Sequence, residues 1–495
     1  MATQVNDSNF DAVVLQSQLP VLLAEYTFRT KRDVTDYLAL LDQIDDYFAS
    51  LLLYEQEKAA AGFFMPACSS EKVRKQCDTI VTTEELAQGT HFLQTTFEDR
   101  LSELPKQGLF TPEETASLIK TNDRLLATVV QPYAALSEGL HSLETSTNVD
   151  STASETTPNA ASGKNSSAHN GLPKGLALLP DGKTYYLHLL FSETGSSRSE
   201  KELVQMLLVQ FQKEQSAIRN LASQSPSLIT LLSEENTAVF PLAEPEEMLS
   251  DLQARMKNDF PVSSPVPTVT VKDVVPSLEP YSAPAFYLTT PLGDSDNNVI
   301  YINRRNSPQG LELYTTLAHE GYPGHLYQHT FEQLDSYDPI RSLIYVGGYT
   351  EGWGLYSELY AYDFLDMNKT KANALRALSS LNYAICASLD LSVHGMGWNE
   401  AQCVSYLASF GITDTTQIHK LYLQLLEEPG NYLKYYLGYL EICKLKESAL
   451  ALSSNWSLYD FHNWFLTTGP APFSILTEHL EDLEISPKLL KRMSQ

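Results

Sequence analysis

The chain has 495 residues, 43% of them hydrophobic and 19% charged, which is ordinary globular material with length for more than one core. A formal net charge of −27 argues against nucleic acid or an anionic membrane surface as the partner. The five scattered cysteines form no C-x-x-C metal pair and imply no disulfide framework, although Cys68 and Cys77 could pair.

The first twenty residues are polar and show no signal-peptide pattern, and no later run is apolar enough to span a bilayer. Residues 31–60 place Tyr37, Leu38, Leu41, Ile44, Tyr47, Phe48 and Leu51 at intervals of three and four, the period of an amphipathic helix. Residues 82–97 and 112–143 read as further helices, with Leu125, Val129 and Tyr133 on one face. Together these make 1–143 an N-terminal helical region. Ser, Thr, Asn, Ala and Gly then dominate, so 144–170 reads as a flexible surface loop. The remainder, 171–495, reads as a catalytic helical region forming one compact unit with 1–143.

Asp181-Gly182 signals a turn, and 185–191 opens either a short strand or a helix. Residues 199–223 carry Leu203, Met206, Leu207, Val209 and Phe211 in helical register, and 248–258 read as another helix. Three β-branched or aromatic runs follow, at 268–271, 286–289 and 299–303, and predict a small sheet. The stretch 300–303 is a candidate edge strand on which an extended substrate would lie; a plain structural hairpin is the other reading.

Residues 317–325 read Leu-Ala-His-Glu-Gly-Tyr-Pro-Gly-His. Zinc takes neutral imidazole, and an adjacent carboxylate can accept a proton from water on the ion. The usual spacing on one straight helix is H-E-x-x-H. Here the histidines are six apart, roughly 120° around a straight helix. Pro323 removes a donor and clashes with the preceding turn, so a straight helix is not expected. The expected shape is a helix ending at His319-Glu320, a tight turn through Gly324, and a new helix opened by His325, with both imidazoles facing one point. On spacing alone, a hydrogen-bonded core His319 beside an ordinary helix break stays open. His325 and His329, at i and i+4, are a less favoured pair because neither has a Glu beside it. A third ligand is expected from 349–358, where Glu351 and Glu358 share a helical face. Glu351 is the ligand choice and Glu358 the group that orients an imidazole. Gly352 and Gly354 around Trp353 point to close helix packing. The other reading is a solvated acidic face.

Residues 372–394 carry Leu375, Leu378, Leu381, Ile385 and Leu389 in helical register. Asn399 reads as the N-cap of a helix that stops at Gly411. Residues 421–426 are apolar, 435–450 form another helix, and Phe461-His462 begins the last long stretch. No internal repeat is visible.

The runs H-E-G-Y-P-G-H-L-Y-Q (His319 to Gln328) and E-G-W-G-L-Y-S-E (Glu351 to Glu358) resemble the H-E-x-x-P-G-H-x-x-Q and E-G-W-x-x-Y-x-E motifs of DUF885, a domain-of-unknown-function family of bacterial candidate zinc metallopeptidases. The resemblance extends from about Leu22 to the C-terminus, interrupted by the Ser/Thr-rich insert. It implies a mainly α, gluzincin-like fold, a large helical zincin-like body with a small β-sheet beside the metal site and a deep cleft. It implies one Zn2+ ion on His319, His325 and Glu351, with Glu320 as general base.

Three later stretches are also similar to the family: 390–398 (D-x-x-x-H-x-x-G-W), 429–438 (P-G-Q-x-x-x-Y-x-x-G, with Asn431 in place of Gln), and Phe461-His462 with 469–472. They suggest His394 and Tyr435 as oxyanion or substrate donors, and an Asp390–His394 pair at i and i+4. The other readings are a buried helix-end histidine and a packing tyrosine, one of 27. The implied activity is zinc-dependent hydrolysis of a short peptide or small amide, because helices enclosing the site would bar folded substrates. The alternatives are a hydrolase of non-peptide amides or esters and a catalytically silent peptide-binding protein. Many family members are exported or lipid-anchored. The expected setting is therefore export or the cell surface, with any targeting segment outside this sequence, and the cytoplasm is the alternative.

Overall fold

The computed structural model of the chain describes residues 10–61, 64–104, 108–152, 174–224, 240–262, 267–276, 278–290, 297–332, 339–452 and 456–485. It divides into two compact units. The first takes Met1–Lys174, Val275–Tyr281 and His419–Glu428. Its helices are α1 (Phe10–Ala24), α2 (Lys31–Asp42), α3 (Ile44–Ala60), α4 (Ala67–Ile80), α5 (Thr83–Gln88), α6 (Phe92–Glu103) and α7 (Pro112–Thr152).

The periodic stretch 31–60 is thus two helices meeting at Gln43. Tyr37, Leu41, Ile44, Phe48 and Leu51 are buried, while the break turns Tyr47 outward. A capping box starts α2: the Thr30 hydroxyl accepts from the Asp33 amide at 3.3 Å and the Asp33 carboxylate from the Thr30 amide at 2.7 Å. The face of α7 bearing Leu125, Val129 and Tyr133 is buried, and Tyr133 meets Phe48 edge-on at 4.8 Å. The stretch 82–97, read as one helix, is the pair α5 and α6, parted near Gly89. The loop expected from residue 144 does not begin there, because α7 continues to Thr152. Ser and Thr fall only some tenths of a kcal/mol below Ala in helix propensity, too little to end a helix without Gly or Pro. The rest of that expected loop, 153–170, lies outside the described residues.

The second unit takes Gly175–Val274, Ser282–Ile418 and Pro429–Gln495. Its elements are α8 (Gly182–Thr194), α9 (Glu200–Gln224), α10 (Pro245–Arg255), β1 (Val269–Asp273), β2 (Ala285–Leu288), β3 (Asn298–Ile302), α11 (Gly310–Glu320), α12 (His325–Glu332), α13 (Gly347–Tyr360), α14 (Lys369–Asp390), α15 (Glu400–Ala408), α16 (Thr415–Glu427, which runs on into the first unit), α17 (Asn431–Leu452), α18 (Leu458–Thr468) and α19 (Phe473–Ile485). The fold is mainly α with one small sheet, as expected, and 185–191 is helical within α8. Asn399 does cap α15, accepting from the Gln402 amide at 3.1 Å. All five cysteines are free thiols, Cys68 and Cys77 included. Among the described residues, no helix is long and apolar enough to cross a membrane.

The three strands sit where the β-branched runs predict, but their order corrects one expectation. The sheet runs β1-β3-β2, with β3 parallel to β1 and antiparallel to β2. The candidate edge at 300–303 is therefore the central strand, and Ile300 and Ile302 are fully buried there. The edge nearest the His-Glu helix is β2.

Two packing features fix the frame of the second unit. Around Trp353, the rings of Phe260, Tyr356 and Phe465 lie 6.1, 5.5 and 5.2 Å away in one buried aromatic cluster. Helices α13 and α17 touch backbone to backbone: a Cβ on Gly438 would lie 2.1 Å from the Gly348 carbonyl oxygen.

Asp390 is fully buried at the end of α14. Its carboxylate accepts from the Tyr186 hydroxyl at 2.8 Å and from the Gly430 amide at 2.9 Å. Burial dominates over both bonds and pushes its pKa up from 3.8 to about 7. A carboxyl raised on folding stabilises the protein below its unfolded value, and that contribution is lost as pH rises through the folded value. Wild type is therefore expected to lose stability between about pH 4 and 7, by up to about 4 kcal/mol from this group. Asp390→Asn removes the dependence, so the variant should gain on wild type as pH rises. Melting temperatures of both proteins at pH 4.5 and 7.5 check this; a constant difference between them would refute it.

Candidate metal centre

Helix α11 stops at Gly321, the Tyr322–Gly324 turn follows, and α12 starts at His325. Two hydrogen bonds hold the turn: the Tyr322 hydroxyl donates to the Pro267 carbonyl at 3.0 Å, and the Trp353 indole donates to the Pro323 carbonyl at 2.8 Å. Gln328, one turn into α12, donates to the Tyr349 carbonyl of α13 at 3.4 Å. The bend turns both imidazoles toward α13. Their rings stand 4.7 Å apart and nearly perpendicular.

The Nε2 atoms of His319 and His325 lie 3.6 and 3.4 Å from the same atom, Glu351 Oε2. Among the described residues, His319, His325 and Glu351 are the one group of three such side chains whose donor atoms all lie within 4.8 Å of one another. The fit to a metal ion can be tested on these separations. A charged N–H···O bond would be about 2.7–2.9 Å long. Donors at about 2.0–2.1 Å from a tetrahedral zinc stand roughly 3.4 Å from each other. The observed separations match the second case. Glu351 Oε2 and His325 Nδ1 are buried without a hydrogen-bond partner, a costly state that an ion relieves for the carboxylate. The residues fit a divalent ion of the zinc type.

The surroundings serve these three groups. Glu358 Oε2 lies 3.4 Å from the other nitrogen of His319, and Tyr383 donates to the same oxygen at 3.2 Å. Gly354 leaves room for the imidazole, since a Cβ there would lie 2.5 Å from His319 Nε2. Burial opposes charge on His319, but Glu351 and Glu358 outweigh it and push its pKa up to about 10. Burial likewise opposes charge on Glu351, yet the two imidazoles hold its carboxyl well below the usual range. Without an ion, the carboxylates draw a proton onto His319; an ion would take that proton's place. Glu358→Gln keeps the size of the side chain and removes the charge behind His319. It is expected to weaken zinc binding about 10- to 100-fold in a chelator-competition titration. Unchanged affinity would show that Glu358 only packs.

Glu320 sits next to His319, and the Tyr287 amide of β2 donates to its Oε2 at 2.8 Å. Burial pushes its pKa up, against the pull of His319, His325 and that amide. Sequence reasoning missed Tyr287, because a backbone donor has no residue-type signature. The Tyr435 ring lies 5.8 Å from the His319 ring, and burial, then the Glu351 charge, raise the pKa of its phenol. Lys434 and Glu193 also act electrostatically on or beside Glu351, and no motif marks either.

His329 and His394 have other surroundings. His329 Nδ1 lies 3.3 Å from Glu332. His394 is 1% exposed in the π-helical turn Leu391–Gly395; its Nδ1 accepts from the Leu176 amide at 3.2 Å and its ring packs on Tyr186 at 5.6 Å. These contacts tie His394 to the Leu176 turn and α8, whereas Tyr435 stands at the converging donors. Asp390, its expected carboxylate partner, is engaged by Tyr186 and Gly430.

The family profile described as "Bacterial protein of unknown function (DUF885)" matches residues 2–480. Among solved structures, the chain is similar to a candidate lipoprotein from Colwellia psychrerythraea, at 21% identity and a TM-score of 0.75 over 94% of this chain and 78% of that one. It is also similar to a candidate lipoprotein of unknown function from Shewanella oneidensis, at 16% identity and a TM-score of 0.57 over 95% of this chain and 81% of that one. At such identities the likeness is one of fold. No curated protein matches.

Proposed function

We propose, starting from the fact that this chain belongs to the DUF885 family of bacterial proteins of unknown function, that it is a zinc-dependent hydrolase acting on short peptides. One observation carries the reading: two imidazole nitrogens face one otherwise unpartnered carboxylate oxygen at 3.4 and 3.6 Å, with a second carboxylate, Glu320, adjoining them. His319, His325 and Glu351 would hold the ion, leaving a coordination place open in a tetrahedral site. A bound zinc ion supplies Lewis acidity toward a carbonyl oxygen and a water.

The chain's own groups account for the rest. Glu320, steadied by the Tyr287 amide, is placed to accept a proton from water and return it to a leaving amine. Tyr435, beside His319, is placed to donate to a developing oxyanion. Among the described residues, strand β2 pairs with β3 on one side only, and its other edge, the one that reaches Glu320, offers backbone groups to an extended peptide. The two similar structures are candidate lipoproteins, which supports an exported setting.

Elemental analysis of the purified protein is expected to find about one zinc per chain. The protein should cleave members of a short-peptide library, stop when chelated, and resume when zinc is restored. Absence of a stoichiometric divalent ion would sink the reading. Metal present with turnover of simple amides or esters alone would transfer the activity to non-peptide substrates.

A further inference from the structure

A separate hollow of about 560 Å³ lies between α9 and α17 in the second unit. That volume is ordinary for a small-molecule site. Met206, Val209, Tyr439 and Leu440 give it an apolar lining. Four cationic side chains, Arg198, Lys213, Lys444 and Lys446, line it against two carboxylates, Glu202 and Glu447. This balance is the reverse of the chain as a whole, which has 61 acidic residues to 34 basic ones.

The charges are unevenly committed. Arg198 forms a bidentate pair with Glu441 at 2.6 and 2.9 Å. Glu202 accepts from the Ser199 amide and hydroxyl at 2.8 and 2.6 Å, so its charge caps α9. Lys446 donates to the Tyr356 hydroxyl at 3.2 Å. Lys213 and Lys444 form no ion pair within 4.0 Å among the described residues; Lys444 acts on Glu202 only at longer range, and Glu447 is the one other carboxylate in the lining, so two ammonium groups stand against one uncommitted carboxylate.

We propose that this hollow binds a small amphiphilic anion, a single carboxylate or phosphate head on an apolar body. The head takes Lys213 and Lys444, and the body covers Met206, Val209 and Leu440. Apolar surface beside clustered ammonium groups favours such a ligand over a neutral one, which leaves the charges unanswered, and over a bare anion, which leaves the lining wet. The site is independent of hydrolysis at the metal centre.

The test is calorimetry on the full chain, zinc-loaded and chelated, with octanoate, octyl phosphate, octanol and inorganic phosphate as probes. Octanoate or octyl phosphate is expected to bind at least about tenfold more tightly than octanol or phosphate, and whichever binds better identifies the head. Binding should survive chelation and weaken with salt. The double variant Lys213→Gln, Lys444→Gln alters two exposed side chains and should weaken the anion about tenfold without changing octanol. Val209→Glu, at a 54% exposed position of the apolar lining, puts a negative charge beside the head and should weaken octanoate several-fold more than octanol if the double variant does not fold. The proposal is overturned if no anion binds, if octanol matches octanoate, if chelation removes binding, or if these variants bind like wild type.

Discussion

Glu320→Gln is expected to retain zinc and lose peptide turnover by about 10²–10⁴-fold, the usual contribution of a positioned acid–base group. Glutamine is nearly isosteric, and its carbonyl oxygen can still accept from the Tyr287 amide that holds the native carboxylate at 2.8 Å. His319 and the turn behind it should stay in place. What disappears is the ability to take a proton and hand it on. Elemental analysis together with kcat/KM on a library-selected peptide separates the outcomes. Near-wild-type turnover would remove Glu320 from the chemistry. Loss of the metal would mean that Glu320 helps to hold the ion.

Gly438→Ala is expected to destabilise the second unit by about 3 kcal/mol or more. In an open helix this change would stabilise by about 1 kcal/mol, because alanine is the better helix former. Here the added methyl would stand 2.1 Å from the Gly348 carbonyl oxygen and 2.8 Å from its carbon. Those are backbone atoms that no rotamer change can move. Helices α13 and α17 must part, and overpacking typically costs 1–3 kcal/mol, more where nothing yields. The clash outweighs the propensity. Because α13 bears Glu351 and Glu358, zinc affinity should fall as well. Thermal denaturation and chelator competition read the two effects; a rise in melting temperature would show that the helices have slack.

The site was legible in the sequence to the extent that its chemistry resides in side chains at local spacings. His319 and His325 are six apart, and Pro323-Gly324 between them signalled the bend that turns both rings to α13. Glu351 and Glu358 stood out as one face of one helix. Gly352 and Gly354 suggested close packing, but only the structure shows that Gly354 makes room for an imidazole and Gly352 for the backbone of Gly438. Strand runs were legible and strand order was not: β-branched and aromatic content marks a strand without naming its neighbours, so 300–303 looked like an edge while β2 holds that place. The Tyr287 amide, Lys434 and Glu193 were invisible because long-range folding brings them to the site. Family motifs drew attention to both His394 and Tyr435, the latter the weaker as one of 27 tyrosines; the structure packs the first against Tyr186 and sets the second beside His319.

The Trp353 indole projects from the helix that carries Glu351 and grips the Pro323 carbonyl, in the turn between the two histidines. With the Gln328 bond to the Tyr349 carbonyl, this strut ties the turn between the two histidines to the helix that bears Glu351. On the proposed zinc reading, release of the ion would therefore involve the bend parting from α13 and not the fraying of one ligand alone. A zinc centre built in this way would release its ion only with that wider opening, a rarer event than the loss of one ligand.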